Sequence, residues 1–390
     1  MDGKGFKGRL QKGGMIALFI LFIFNLCYAL NVALINQQSY ALIDHMKRIE
    51  DFPEALEGKR VKDWIREDEL PKGRLFINGR ELKKEDLLAF MEKANIESIP
   101  DLVLVKFGWT LKRTNMRMYP SQDIIHKGNP AIDYNQYTLL EPFTPLAILH
   151  RSKDGEWLYV HAPYMRGWVK REDVLVRSRE ELLKIIRMPF LVVVKNKVEI
   201  GGVVFGLGSK IPYVEKEEEG YRVLLPDLRT IWIKKGEGLS EGFLNFSEER
   251  VRYILEGLLG TPYDWGGKEG RWDCSSLVQS LYAVFGLELP RNSAQQAKIG
   301  RIVASSFSSY EEFKNLLKDL PPLRTLIFMK GHVMIYGGME RGEPVIYHAV
   351  HSITQEDGKR NHIGAIAKNY LERHRLRSIY RSIISVNVLD

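Results

Sequence analysis

Cys274 follows Asp273 in the run Trp272-Asp-Cys-Ser-Ser276, and Leu277, Val278, Leu281, Tyr282 and Phe285 come next at helical spacing, ending at Gly286. An aspartate suits a helix N-cap, so this spacing puts Cys274 in the first turn. Unpaired N–H groups and the positive end of the helix dipole favour an anion there, and a thiolate so placed has a lowered pKa and is the nucleophilic form. A sulfur attacking an amide also needs a partner that relays the proton. His332 opens the apolar run Val333-Met-Ile-Tyr336, which Gly337-Gly338 ends, and His348 lies in the next run, Pro344-Val-Ile-Tyr-His348-Ala349. Paired as a hairpin in a favourable register, these runs bring the two histidines to one sheet end, with His332 as base and His348 orienting its ring. His351 faces the opposite side if the strand continues, because side chains alternate. Taken singly, the cysteine reads first as a small buried hydrophobe and each histidine as a surface or core residue. Spacing alone leaves catalysis and packing both open. No HExxH or paired-cysteine ligand set exists, so neither a metal nor a cofactor is expected.

The compartment sharpens the cysteine argument. Lys4, Lys7, Arg9 and Lys12 precede an apolar stretch from Met15 to about Ile35, the pattern of a secretory signal or of an inner-membrane anchor with its basic end inside. Residues 1–36 are therefore expected to direct export to the periplasm or cell envelope, with Ala29 offering a small-residue cleavage site. The chain has only two cysteines, and Cys27 lies in that stretch. An exported chain without a disulfide pair leaves Cys274 for another use. The net charge of +8 over 390 residues is spread without long basic runs after residue 50, a mild bias that does not indicate nucleic acid.

Residues 37–100 read as polar and helical, with helices over Tyr40–Glu50 and Glu81–Lys93, and show no chemistry. Short β-type runs follow. Trp157-Leu-Tyr-Val160 and Gly167-Trp-Val169 flank a proline-containing turn, and a similar figure recurs at Gly220–Pro226 and Ile231-Trp-Ile233. Two small barrels in tandem are expected, over 101–180 and 188–240, with their tryptophans as core. The last domain, 245–390, opens on a helix capped by Ser247, whose buried stripe is Val251, Leu255, Leu258 and Leu259.

The run Arg113-Thr-Asn-Met-Arg117, Tyr119-Pro-Ser121, Asp133-Tyr-Asn-Gln136 and Ser152–Trp157 through Gly167-Trp-Val169 resembles the bacterial SH3 type of cell-wall enzymes. Gly260-Thr-Pro-Tyr-Asp-Trp-Gly-Gly267, Asp273-Cys-Ser275, Leu289-Pro-Arg-Asn-Ser293, Gln295/Gln296, Gly331-His-Val-Met-Ile-Tyr336 and His348-Ala349 occur in the order of the NlpC family of papain-related cell-wall peptidases, which the last domain resembles. Ser276 stands where many members have glycine. The resemblance implies a multidomain α+β chain, two SH3-like barrels followed by a papain-like catalytic domain. It implies Cys274 as nucleophile, His332 as base and His348 as third member. Tyr263 would lie near the developing oxyanion, and Asp273 and Ser275 would hold the substrate's free amino end, Asp273 capping the helix with one oxygen and meeting the amine with the other. The implied reaction is hydrolysis of the γ-D-glutamyl to diamino acid bond of peptidoglycan stem peptides, with the first barrel narrowing the cleft to stems bearing a free N-terminal L-Ala. A wall-binding protein with an inactive domain predicts loss of nucleophile or base, and both are present. An amidase or acyltransferase on the same scaffold shares the Cys–His pair.

Overall fold

The computed structural model describes residues 30–390. The expected signal or anchor over 1–36 therefore lies outside the described residues except for 30–36, and those residues are part of the folded chain. Asn31 caps a helix over Val32–Leu42, its side chain accepting from the Leu34 N–H. Ile35 is completely buried in the same core as Leu281 and Phe285. Asn36 donates to the Gly286 carbonyl and accepts from the Glu288 N–H, and Gln38 accepts from the Gly300 N–H. The end of the apolar run thus belongs to the folded C-terminal domain. The helix expected over Tyr40–Glu50 lies instead at Val32–Leu42, followed after a gap by a single 3-10 turn at Ile49–Asp51. Among the described residues, no helix is long and apolar enough to cross a membrane.

Residues 49–105 wrap the first barrel. A strand at Ala55–Glu57 pairs with Leu102–Leu104, and Phe52, Val61 and Trp64 share one core with Trp109, Trp157 and Trp168 of the barrel. The barrel is a seven-stranded antiparallel sheet in the order 174–177, 106–110, 145–151, 157–162, 165–170, 114–117 and 136–140. Tyr159 faces Trp168 across its central pair, so the two aromatic runs seen in the sequence are neighbours. After a helix at Arg179–Ile186, a five-stranded sheet in the order 230–234, 220–224, 210–216, 190–193 and 239–241 packs around Leu191, Val193, Phe205, Ile211 and Val223. Trp232 is 36% exposed, unlike the core tryptophans of the first barrel.

The C-terminal domain packs helices on one sheet, among them Tyr310–Lys318, whose Phe313 and Leu317 share a core with Met334 and Ile346. Ser247 caps Glu248–Leu258 through the Arg250 N–H. Val251, Ile254, Leu255 and Leu258 face the core, whereas Leu259, expected among them, is 36% exposed because the helix ends at Leu258. Cys274–Ala283 forms the second helix, burying Leu277, Val278, Leu281 and Tyr282. The sheet is antiparallel, in the order 301–304, 383–388, 325–329, 332–340, 343–354 and 360–370.

Because the N-terminal helix completes the C-terminal core, Ile35→Ala is expected to cost roughly 2–5 kcal/mol, the usual range for truncating a buried isoleucine. Urea unfolding followed by tryptophan fluorescence measures it. An unchanged midpoint would contradict this packing.

Candidate active site

The nucleophile candidate is placed by its helix and by a strand at once. Asp273 is the N-cap, its Oδ1 accepting from the Ser276 N–H at 2.8 Å while the Ser276 hydroxyl meets the Asp273 N–H at 3.0 Å. This closed pair of cap bonds fixes the first turn and leaves Cys274 as its first helical residue. The sulfur accepts the backbone N–H groups of Ser275 and Val333. Val333 directly follows His332, so the strand that carries the histidine also grips the sulfur.

The two histidines meet as the hairpin reading expected. Ile335 pairs with Tyr347, which puts His332 and His348 on one face and diagonal to one another. His332 Nε2 lies 2.9 Å from His348 Nδ1, and His348 Nε2 lies 2.9 Å from Asn369 Oδ1. Asn369 comes from the third strand, where His348 pairs with Ala367. An amide oxygen only accepts, so His348 must carry its proton on Nε2. His348 Nδ1 is then an acceptor, His332 donates from Nε2, and His332 Nδ1 keeps a lone pair. One amide therefore sets the tautomer of both rings. Sequence reading assigned Asn369 no role; its contact depends on the pairing of a third strand, which no local pattern reveals.

Asp273 and Ser275 have a different setting from the one expected. Both Asp273 oxygens are engaged: Oδ1 by Ser276 N–H, the Ser275 hydroxyl and Arg291 Nη1, Oδ2 by Gly266 N–H at 3.0 Å and Arg291 Nη2. Neither oxygen is without a donor, and the carboxylate's charge is met by Arg291. Burial works to raise the Asp273 carboxyl, but Arg291 outweighs it and holds the group below the usual carboxylate range. Ser275 accepts from Arg291 Nη1 at 2.9 Å and its carbonyl accepts from Gln296. Arg291 Nε in turn donates to the Thr138 hydroxyl of the first barrel at 2.8 Å. Gln136, on the same barrel strand, donates to the Gly266 carbonyl at 3.3 Å. Gly266 has φ +69°, and a Cβ there would lie 2.4 Å from Gln136 Cγ, so only glycine allows the barrel this close.

Tyr263 is brought beside the nucleophile by backbone pairing. Its N–H donates to the Gly364 carbonyl at 2.8 Å, and it bridges to Trp272, two residues before Cys274. Burial, then the charges of Asp273 and Cys274, push its hydroxyl pKa up. His351 lies at an irregularity of its strand. The register shifts between Val350 and Ser352, and in this bulge the His351 ring sits edge-on to Tyr263 at 6.0 Å.

The protonation states differ from those expected of a helix-start cysteine. Burial, then the charge of Asp273, pushes the Cys274 thiol up to about 12, outweighing the backbone donors. Burial, then His348, lowers His332 to about 3, and burial lowers His348 to about 4. At neutral pH the resting pair is a neutral thiol beside neutral imidazoles. Among the described residues no group of His, Cys, Asp and Glu could hold a metal ion.

Residues 260–375 match the NlpC/P60 family, and residues 120–170 match the SH3 domain of SH3b1 type. The chain thus carries an NlpC/P60 domain behind a bacterial SH3 domain. It is similar to a gamma-D-glutamyl-L-lysine dipeptidyl-peptidase of Bacillus cereus, 29% identical over 100 residues that cover 24% of this chain and 29% of that one. A protein of the same name from Bacillus subtilis is 23% identical over 192 residues, covering 44% of this chain and 64% of that one. The chain thus spans less than two thirds of the length of either relative. A solved NlpC/P60 endopeptidase from Photobacterium damselae subsp. piscicida superposes with a TM-score of 0.71 at 17% identity, over 93% of this chain and 94% of that one, a likeness of fold.

Two outcomes follow from this geometry. Alkylation of Cys274 by iodoacetamide is expected to quicken about tenfold per pH unit through pH 9, because the reactive thiolate is a small fraction throughout that range. A rate already level from pH 5 would mean a preformed ion pair. Asn369→Ala is expected to lower kcat roughly tenfold to a hundredfold with little change in KM, since it releases the tautomer of the base and touches no substrate. An unchanged kcat on whichever peptide the protein cleaves would remove Asn369 from the relay.

Proposed function

We propose that this protein is a cysteine peptidase that cleaves the γ-D-glutamyl to diamino acid bond of peptidoglycan stem peptides. The observation that carries it is the joint placement of Cys274 and His332, the sulfur held by the N–H of the residue next to a histidine whose tautomer Asn369 sets through His348. The SH3 and NlpC/P60 matches and the two similar gamma-D-glutamyl-L-lysine dipeptidyl-peptidases support the substrate class. The basic and apolar N-terminal pattern supports export to the envelope, where that polymer lies.

In the proposed reaction the Cys274 proton passes to His332 Nδ1 as the sulfur attacks the glutamyl γ-carbonyl carbon. Negative charge develops on the carbonyl oxygen near the Cys274 N–H and Tyr263. Collapse breaks the C–N bond, and the departing amine takes the proton from His332. Water, deprotonated by the same nitrogen, then hydrolyses the thioester and regenerates the thiol. A neutral resting pair suits this order, because the base is unprotonated when the substrate arrives.

Selection for a free N-terminal L-Ala is assigned to shape. With Asp273 neutralised by Arg291, the close approach of the barrel at Gln136 and Thr138 is left to limit what reaches the cleft. The test is mass analysis after incubation with L-Ala-γ-D-Glu-diamino acid tripeptide. The expected products are the L-Ala-γ-D-Glu dipeptide and the free diamino acid, with none from Cys274→Ala. The N-acetylated tripeptide is expected to react at least about tenfold more slowly. Absence of the dipeptide would overturn the bond assignment, and equal rates on both tripeptides would overturn the selection.

A further inference from the structure

Beyond the relay, the two strands over 343–354 and 360–370 both lose their regular pairing at one point. The first shifts register between Val350 and Ser352, and the second carries Gly364 at φ +64°. A Cβ on Gly364 would lie 2.7 Å from His362 Nε2, so the His362 ring lies across the glycine. His351 meets His362 with ring centroids 4.7 Å apart. The Ser352 hydroxyl sits between them and a charge: Arg360 Nε donates to it at 2.8 Å, and His351 Nδ1 is 3.3 Å away. The hydroxyl keeps a second lone pair and its hydrogen after accepting from Arg360, so it can meet His351 Nδ1 in either tautomer. Arg360 and His362 face solvent, His351 is half-buried, and no carboxylate among the described residues pairs with any of the three. Burial, then His362 and Arg360, lower the His351 pKa. This cluster of donors adjoins Tyr263, whose own backbone is paired beside Trp272 and the nucleophile.

We propose that Arg360, His351 and His362 form a carboxylate-binding rim of the cleft that holds a carboxylate of the stem peptide beside the bond that is cut. The planar guanidinium fork suits a carboxylate, and each of the two imidazoles beside it has an N–H to offer. This rests on the stem-peptide reading above. Such a substrate carries two carboxylates near the scissile bond, the glutamyl α-carboxylate and that of the diamino acid.

Three tripeptides decide the matter: the free acid, the glutamyl α-amide and the diamino acid amide, each assayed with the intact protein and with Arg360→Gln and His362→Gln. Amidation at one of the two positions is expected to lower kcat/KM of the intact protein roughly tenfold to a hundredfold, the loss of a charge-assisted contact. Arg360→Gln is expected to abolish that acid-to-amide ratio, and His362→Gln to shrink it; the position that responds identifies the carboxylate. A ratio that Arg360→Gln leaves unchanged at both positions, or an intact protein indifferent to amidation, would overturn the proposal. If the intact protein cuts no stem peptide, the stem-peptide reading fails and the rim is tested by itself. N-acetyl-D-glutamate is then titrated while the His351 and His362 ring protons are followed by NMR. Shifts that Arg360→Gln removes support the rim, and their absence in the intact protein overturns it.

Discussion

An amide oxygen accepts hydrogen bonds and never donates them, and the site hangs on that asymmetry. Asn369 Oδ1 forces the His348 proton onto Nε2, and His348 passes the constraint to His332, whose Nδ1 is left with a lone pair. Each step crosses one strand boundary diagonally, so the three side chains line up only while three antiparallel strands keep their pairing. Burial supports the same result from another side, because desolvation disfavours an imidazolium at either ring. The relay needs no carboxylate, which would bring a charge into a region that has little water to solvate it.

A second buried contact joins the modules to this chemistry. Arg291 is 2% exposed and Asp273 8%, and the guanidinium spans Asp273, Ser275 and Thr138. Taking one partner from such a buried pair typically costs about 3–5 kcal/mol, because the other charge is left without compensation. The helix cap, the nucleophile's position and the docking of the first barrel therefore stand or fall together. The barrel acts here as part of the wall of the site, through Thr138 on Arg291 and Gln136 against Gly266.

The parts of this site that are legible in the sequence are those written in local spacing. Asp273 before Cys274 and an apolar helical face give the helix start, and two apolar runs separated by glycines give the hairpin of His332 and His348. Tyr159 opposite Trp168 is legible for the same reason. What stays hidden depends on distant partners or on competition between effects. Asn369 needs a third strand's register, and Arg291 needs a fold that carries it to Asp273. Ile35 lies at the end of an apolar run that suits an anchor equally well, and only the packed core shows that it belongs to the folded domain. Helix position favours a thiolate at Cys274, but the degree of burial, which outweighs it, cannot be read from spacing. The bulge at His351 is hidden as well, because a bulge needs both strands to be seen.

The most direct test of the relay is the protonation of its two rings, read from nitrogen chemical shifts of the ¹⁵N-histidine-labelled protein at pH 7, with His332 and His348 assigned by substitution. The account requires Nε2-protonated neutral imidazoles at both positions, each with an unprotonated Nδ1. A proton on His332 Nδ1, or an imidazolium at either ring, would contradict it.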